Sequence, residues 1–172
     1  MKVLDAEFVQ GFIRMADDGW QQGWHERNGG NLSYRMKPEE IQMVKEELTP
    51  GAWCPIGAQV PTLAGMDFLV TGSGKYFRNV SLKPEDSICI IELDDKGENY
   101  RICWGLVNGG RPTSELPSHL MNHAVKMEIT KGKHRVIYHA HVLPVCLEFG
   151  NRAFFRADIH QGILVHGHCA YH

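Results

Sequence analysis

The sequence predicts an α/β domain with a mixed central sheet flanked by helices, and three observations carry this expectation. Between residues 5 and 24, Phe8, Phe12, Met15, Ala16 and Trp20 recur every three to four positions, the period of a helix with one buried face. The runs 87–93 and 100–105 are rich in Ile, Cys, Leu, Tyr and Trp, and Asp94-Asp95-Lys96-Gly97 between them marks a hairpin. A later run, Arg135-Val136-Ile137-Tyr138, has strand composition and ends in His139-Ala140-His141.

Each element follows from local chemistry. The first helix leaves Gln10, Arg14, Asp17 and Asp18 on its outer side and should stop near Gly23. Asn28-Gly29-Gly30-Asn31 is a turn leading into a short strand that ends near Arg35. The charged segment 37–49 reads as helical and is broken by Pro50-Gly51-Ala52-Trp53-Cys54-Pro55. Phe68-Leu69-Val70-Thr71 is a strand feeding Gly72-Ser73-Gly74-Lys75. Ser114 is the expected N-cap of a helix running to about Met127, with Leu116, Leu120, Ala124 and Met127 inward. Neither an internal repeat nor a linker is visible.

Composition narrows the class. The chain has 172 residues, enough for one domain with a real core, and its 43% hydrophobic and 22% charged content is that of a globular protein. A formal net charge of −2 without a basic tract gives no sign of a nucleic-acid partner. No apolar run approaches membrane-spanning length, and Asp5 and Glu7 stand where a signal peptide would be apolar. The five cysteines are odd in number and widely spaced, which predicts reduced thiols and a cytoplasmic location. Histidine is the outlier, with ten in the chain.

Chemistry concentrates in four places. On a strand, residues i and i+2 face the same way, so His139 and His141 could form half of a metal site or be two solvent-side polar residues. Asn28-Gly29-Gly30-Asn31 is either a plain turn or an anion cradle, since glycines admit close approach and Asn amides donate hydrogen bonds. Gly72-Ser73-Gly74-Lys75 carries the same two readings; it lacks the spacing of a Walker loop, yet a strand ending in Gly-Ser-Gly can aim N–H groups at phosphate. Thr113 and Ser114 add hydroxyls at a helix start.

Glu115, placed in the first helical turn, reads as a helix-dipole carboxylate or as a general acid/base whose pKa a dry, phosphate-bearing site would push upward. His119 and His123 lie with Glu115 at i, i+4 and i+8, a possible metal trio. The helical zinc motif needs Glu directly after the first His, and Leu120 stands there, so a structural role is the alternative.

Together these segments resemble the class II sugar-phosphate aldolases. The resemblance rests on residues 23–32, on Val70-Thr71-Gly72-Ser73-Gly74-Lys75-Tyr76-Phe77-Arg78-Asn79-Val80, on Trp104-Gly105-Leu106, on Pro112-Thr113-Ser114-Glu115-Leu116-Pro117 and on His139-Ala140-His141, in family order and spacing. The run from Gly72 to Val80 looks like the branch acting on L-rhamnulose 1-phosphate. The resemblance implies a largely antiparallel sheet and a zinc-dependent lyase that splits this sugar phosphate reversibly into dihydroxyacetone phosphate and L-lactaldehyde. It implies His139 and His141 as zinc ligands, and zinc stabilising the enediolate. Glu115 would be the acid/base. Asn28, Asn31, Ser73, Thr113 and Ser114 would hold the phosphate, with Gly30 and Gly74 admitting the substrate, in a homotetramer.

The family pattern covers residues 1–145, and 146–172 reads as an unmatched tail, so a C-terminally truncated member is expected, with an inactive fragment that binds zinc weakly as the alternative to a working enzyme. The family's third zinc histidine lies in a later segment that this sequence lacks, and Val165-His166-Gly167-His168 is the alternative donor. Two further functional readings stay open: another class II aldolase or a pentulose-phosphate 4-epimerase, and a non-catalytic remnant of the fold.

Overall fold

The computed structural model describes residues 1–141. Helix α1 (Glu7–Gln21) follows a short 3-10 turn at Val3–Asp5. Strand β1 (Asn31–Arg35) leads to α2 (Pro38–Val44) and a two-residue strand β2 (Cys54–Pro55). Strand β3 (Asp67–Thr71), one-turn α3 (Pro84–Ser87), and the hairpin of β4 (Ile88–Leu93) and β5 (Asn99–Gly105) come next. Helix α4 (Leu116–Thr130) and strand β6 (Val136–His139) complete the described fold. The strands form one sheet in the order β2-β5-β4-β3-β1-β6, and every pairing among the described residues is antiparallel.

The sheet buries both faces because its strands alternate two apolar sets. Leu32, Leu69, Ile88, Ile90 and Tyr138 face one way and pack with Val9, Phe12 and Ala16 of α1. Phe68, Val70, Cys89, Ile91 and Leu93 face the other way, against Leu116 and Leu120 of α4. On β1 this second face is polar: Asn31, Ser33 and Arg35, two residues apart, are all buried on the α4 side.

The predicted hairpin is present, and Asp94 organises its turn. Its carboxylate accepts N–H bonds from Lys96 and Glu98 and from the Asn99 side chain. The Asn99 bond leads in holding its pKa down at about 2, followed by the backbone donors. The helix after Thr113 differs from expectation at its start. Glu115, not Ser114, occupies the N-cap, so Glu115 precedes the first helical turn. The Thr113 hydroxyl accepts the Glu115 N–H at 3.2 Å and pulls residues 113–115 into a turn that delays the helix. The helix also runs three residues past Met127, to Thr130.

Across β3 and β4, Asp67 stands opposite Glu92, whose carboxylate bonds Arg101 at 2.7 Å. Burial, then the Glu92 charge, push the Asp67 carboxyl up to about 7, with Arg101 opposing. The folded protein therefore keeps a proton that the unfolded chain releases near pH 4. This contribution to stability is present in acid and is lost as pH rises from about 4 to about 7. Asp67→Asn should flatten that loss and be more stable than wild type at pH 8 by about 1–2 kcal/mol after allowing for solvent screening. Urea denaturation at pH 5 and pH 8 measures the difference; an unchanged slope would contradict the assignment.

Candidate active site

The chemistry-bearing loops gather at one end of the sheet. Asn31, the first residue of β1, is paired with His139, the last of β6. Thr71, the last of β3, lies beside them, and its hydroxyl accepts the Leu32 N–H at 3.1 Å. From Thr71 the Gly72-Ser73-Gly74 loop runs antiparallel to the segment before α4. Gly72 bridges Pro112, Ser73 N–H donates to Arg111 carbonyl at 2.9 Å, and Thr113 N–H donates to Thr71 carbonyl at 2.9 Å. These backbone bonds set the Gly-Ser-Gly and Thr-Ser elements side by side although some forty residues separate them in sequence.

His139 and His141 have ring centroids 4.8 Å apart. His139 Nδ1 donates to Glu115 Oε2 at 2.6 Å, joining the start of α4 to the end of β6. Burial alone would raise the Glu115 carboxyl. The neighbouring His139, bonds from Asn31 and His139, and His119 outweigh it, and the net shift is downward. The upward shift expected from sequence is corrected on this point: the pull of the hydrogen-bonding partners wins over desolvation.

Of the remaining predicted residues, Asn31 and Thr113 are buried, while Asn28, Ser73, Gly74 and Ser114 are exposed at the same end of the sheet. The turn carrying Asn28 lies against the His strand: a Cβ on Gly29 would sit 3.5 Å from the His141 ring. Gly30, at φ +83°, has no room for a side chain, since a Cβ there would lie 2.4 Å from His25 Nδ1 and 2.6 Å from the His139 carbonyl. At Gly74, φ +70°, a Cβ would meet nothing within 4 Å among the described residues.

The trio Glu115, His119 and His123 does not form a metal site. Both histidines turn into the core, 2% and 1% exposed, where Ser33 Oγ bonds His119 Nδ1 at 2.6 Å and His123 Nε2 at 2.8 Å. No group of three His, Cys, Asp or Glu among the described residues is arranged to hold a metal ion. The alternative donors His166 and His168 lie outside the described residues.

Two contributors escape the sequence reading. His25 is buried, stacked on Phe77 at 3.7 Å between ring centroids; its Nδ1–H donates to Gly29 carbonyl at 2.9 Å, and its Nε2 accepts the Tyr138 hydroxyl at 2.5 Å. Burial chiefly, with His141 and His139 adding, brings its pKa down to about 4, so the ring is neutral and clamps the glycine turn to β6. Ser33 is the second. Its position two residues after Asn31 on a strand was the only available signal.

The fold, with its loops gathered around a carboxylate and two histidines, defines a sugar-phosphate aldolase type of architecture, and comparison with known proteins agrees. Residues 10–147 match the family model described as the Class II Aldolase and Adducin N-terminal domain, and the chain belongs to this family. It is 45% identical to the rhamnulose-1-phosphate aldolase of Pectobacterium atrosepticum over 166 residues, covering 93% of this chain and 60% of that protein. It is 46% identical to the rhamnulose-1-phosphate aldolase of Mannheimia succiniciproducens, covering 81% of this chain and 52% of that one. The chain thus spans about half to three-fifths of the length of the curated relatives it matches. A crystal structure of a sugar-phosphate aldolase from Thermotoga maritima superposes with a TM-score of 0.66 at 28% identity, covering 82% of this chain and 56% of that one. No helix among the described residues is long and apolar enough to cross a membrane.

Proposed function

We propose that the chain carries the Glu115–His139–His141 corner and the phosphate loops of a zinc-dependent class II aldolase. It cleaves L-rhamnulose 1-phosphate reversibly to dihydroxyacetone phosphate and L-lactaldehyde. The observation that carries this reading is the 2.6 Å contact between Glu115 and His139, beside His141. The curated relatives named rhamnulose-1-phosphate aldolase support the choice of sugar. Residues 1–145 are the aldolase-like unit, working as a cytoplasmic homotetramer.

The donor set fits zinc in kind. Two neighbouring imidazoles are zinc ligands by chemistry, and a catalytic site needs three protein ligands, so His139 and His141 would hold the ion with a third donor from outside the described residues. Zinc, when bound, supplies a Lewis acid for the oxygens at the carbonyl end of the substrate.

The chain's own residues do the rest. Ser73 and Ser114 are exposed and can donate to a dianionic phosphate, exposed Gly74 lets the backbone approach it, and Asn28, Asn31 and Thr113 complete its donors. Anchoring the phosphate places the reacting carbons against Glu115 through binding energy remote from the bond that breaks. Glu115, held ionised, is ready as the base that removes a proton from the carbon beside the carbonyl in aldol addition. In cleavage the same Oε2 returns a proton to the carbon that the aldehyde leaves.

Assay of a panel of ketose 1-phosphates with zinc present tests the proposal. Preferential release of dihydroxyacetone phosphate from L-rhamnulose 1-phosphate is expected. Preference for L-fuculose 1-phosphate, or epimerisation of a pentulose phosphate, would replace the assigned substrate, and no turnover of any member would leave a non-catalytic binding module.

A further inference from the structure

The α4 side of β1 holds a buried polar chain, whereas the neighbouring strands present Phe68, Val70, Cys89, Ile91 and Leu93 to that side. Asn31, Ser33, His119 and His123 are 7%, 0%, 2% and 1% exposed. They are hydrogen-bonded in series: Asn31 Oδ1 to His119 Nε2, His119 Nδ1 to Ser33 Oγ at 2.6 Å, and Ser33 Oγ to His123 Nε2 at 2.8 Å. The far ring packs on Phe68 at 5.1 Å between centroids, and its buried Nδ1 has no hydrogen-bond partner among the described residues.

We propose that Ser33, His119 and His123 are positioning residues whose hydrogen bonds run in one direction, fixing the Asn31 amide with its NH2 group toward Glu115. Both ends of the chain dictate the same order of donors and acceptors. Asn31 Oδ1 lies on His119 Nε2, and an amide oxygen only accepts, so the amide NH2 is left for the Asn31 side-chain bond to Glu115. His119 must then carry its proton on Nε2, leaving Nδ1 to accept the Ser33 hydroxyl. The Ser33 oxygen in turn accepts the His123 Nε2–H, which leaves His123 Nδ1 bare. A bare Nδ1 fits a buried nitrogen with no partner among the described residues, since an orphaned buried N–H is the rarer and costlier alternative. The opposite order would place a proton on that nitrogen and aim the Asn31 carbonyl at the Glu115 carboxylate. One consistent direction therefore fixes which way the Asn31 amide is turned. Burial holds the His119 and His123 rings near pKa 4 and 3, so both stay neutral.

What Asn31 and Glu115 do for a substrate rests on the proposed function; the direction of the chain does not. Nitrogen-15 NMR of the whole, uniformly labelled chain reads each histidine ring's tautomer together with the Asn31 amide. Nε2–H on both His119 and His123 is expected, and Nδ1–H on either ring would overturn the proposal. Ser33→Ala should shift the Asn31 side-chain amide resonances and weaken inorganic phosphate binding about tenfold. Asn31 resonances unchanged in this variant would refute the positioning role. His119→Gln, which keeps an N–H for Asn31 Oδ1, should bind phosphate better than His119→Leu; equal losses in the two would reduce His119 to packing. If the unaltered chain binds no phosphate, the phosphate site fails, while the tautomers and the Asn31 resonances still decide the inference.

Discussion

Glu115→Gln should slow cleavage of L-rhamnulose 1-phosphate by about 10²–10⁴-fold, the usual cost of removing one acid/base group, and leave inorganic phosphate binding intact. The carboxylate sits at the N-cap of α4, where nothing in the helix needs it: it makes no side-chain cap bond. Its contacts are His139 at 2.6 Å and Asn31, both at the loop end of the sheet. Glutamine keeps the size and can still bond Asn31 and His139, so the loss isolates the proton-transfer step. Turnover within threefold of wild type would leave Glu115 as an orienting partner of His139 and move the acid/base role elsewhere.

Gly30→Ala should destabilise the chain by about 2–5 kcal/mol, the sum of a left-handed backbone for a residue with a Cβ and the displacement of packed neighbours. At φ +83° the new methyl group would lie 2.4 Å from His25 Nδ1 and 2.6 Å from the His139 carbonyl. Neither neighbour can yield without cost. His25 is held by Gly29 and Tyr138 and stacked on Phe77, and the carbonyl belongs to β6. Gly74→Ala is the control: φ is +70° there, but a Cβ meets nothing within 4 Å among the described residues, so only the backbone term of about 1–2 kcal/mol applies. Denaturant midpoints of the two variants give the comparison. Equal midpoints would mean that the Gly30 turn is not wedged between His25 and β6.

Much of this arrangement was legible in the sequence because periodicity and turn chemistry are local. The hairpin of β4 and β5 declared itself through Asp94 and Gly97, and α1 through its apolar spacing. The strand pairing of β2, two residues long, left no pattern to read. Ser114 was the expected cap, yet the Thr113 hydroxyl captured the next turn first, a competition between two side chains that composition does not decide. His119 and His123 were visible as a helical pair, but their partner, Ser33, lies 86 and 90 residues away and becomes their neighbour only when β1 packs beneath α4. The direction of the Glu115 shift was hidden for the same reason, because the donors that outweigh burial come from β1 and β6.

Titration of zinc, followed by inorganic phosphate, into the labelled chain tests the central claim most directly. Zinc should move the His139 and His141 ring signals together while leaving those of His119 and His123 in place. Phosphate should then perturb Asn31, Ser73 and Thr113 as one set. Zinc acting on His119 and His123, or phosphate acting on these three residues separately or not at all, would contradict a single metal and phosphate site at this end of the sheet.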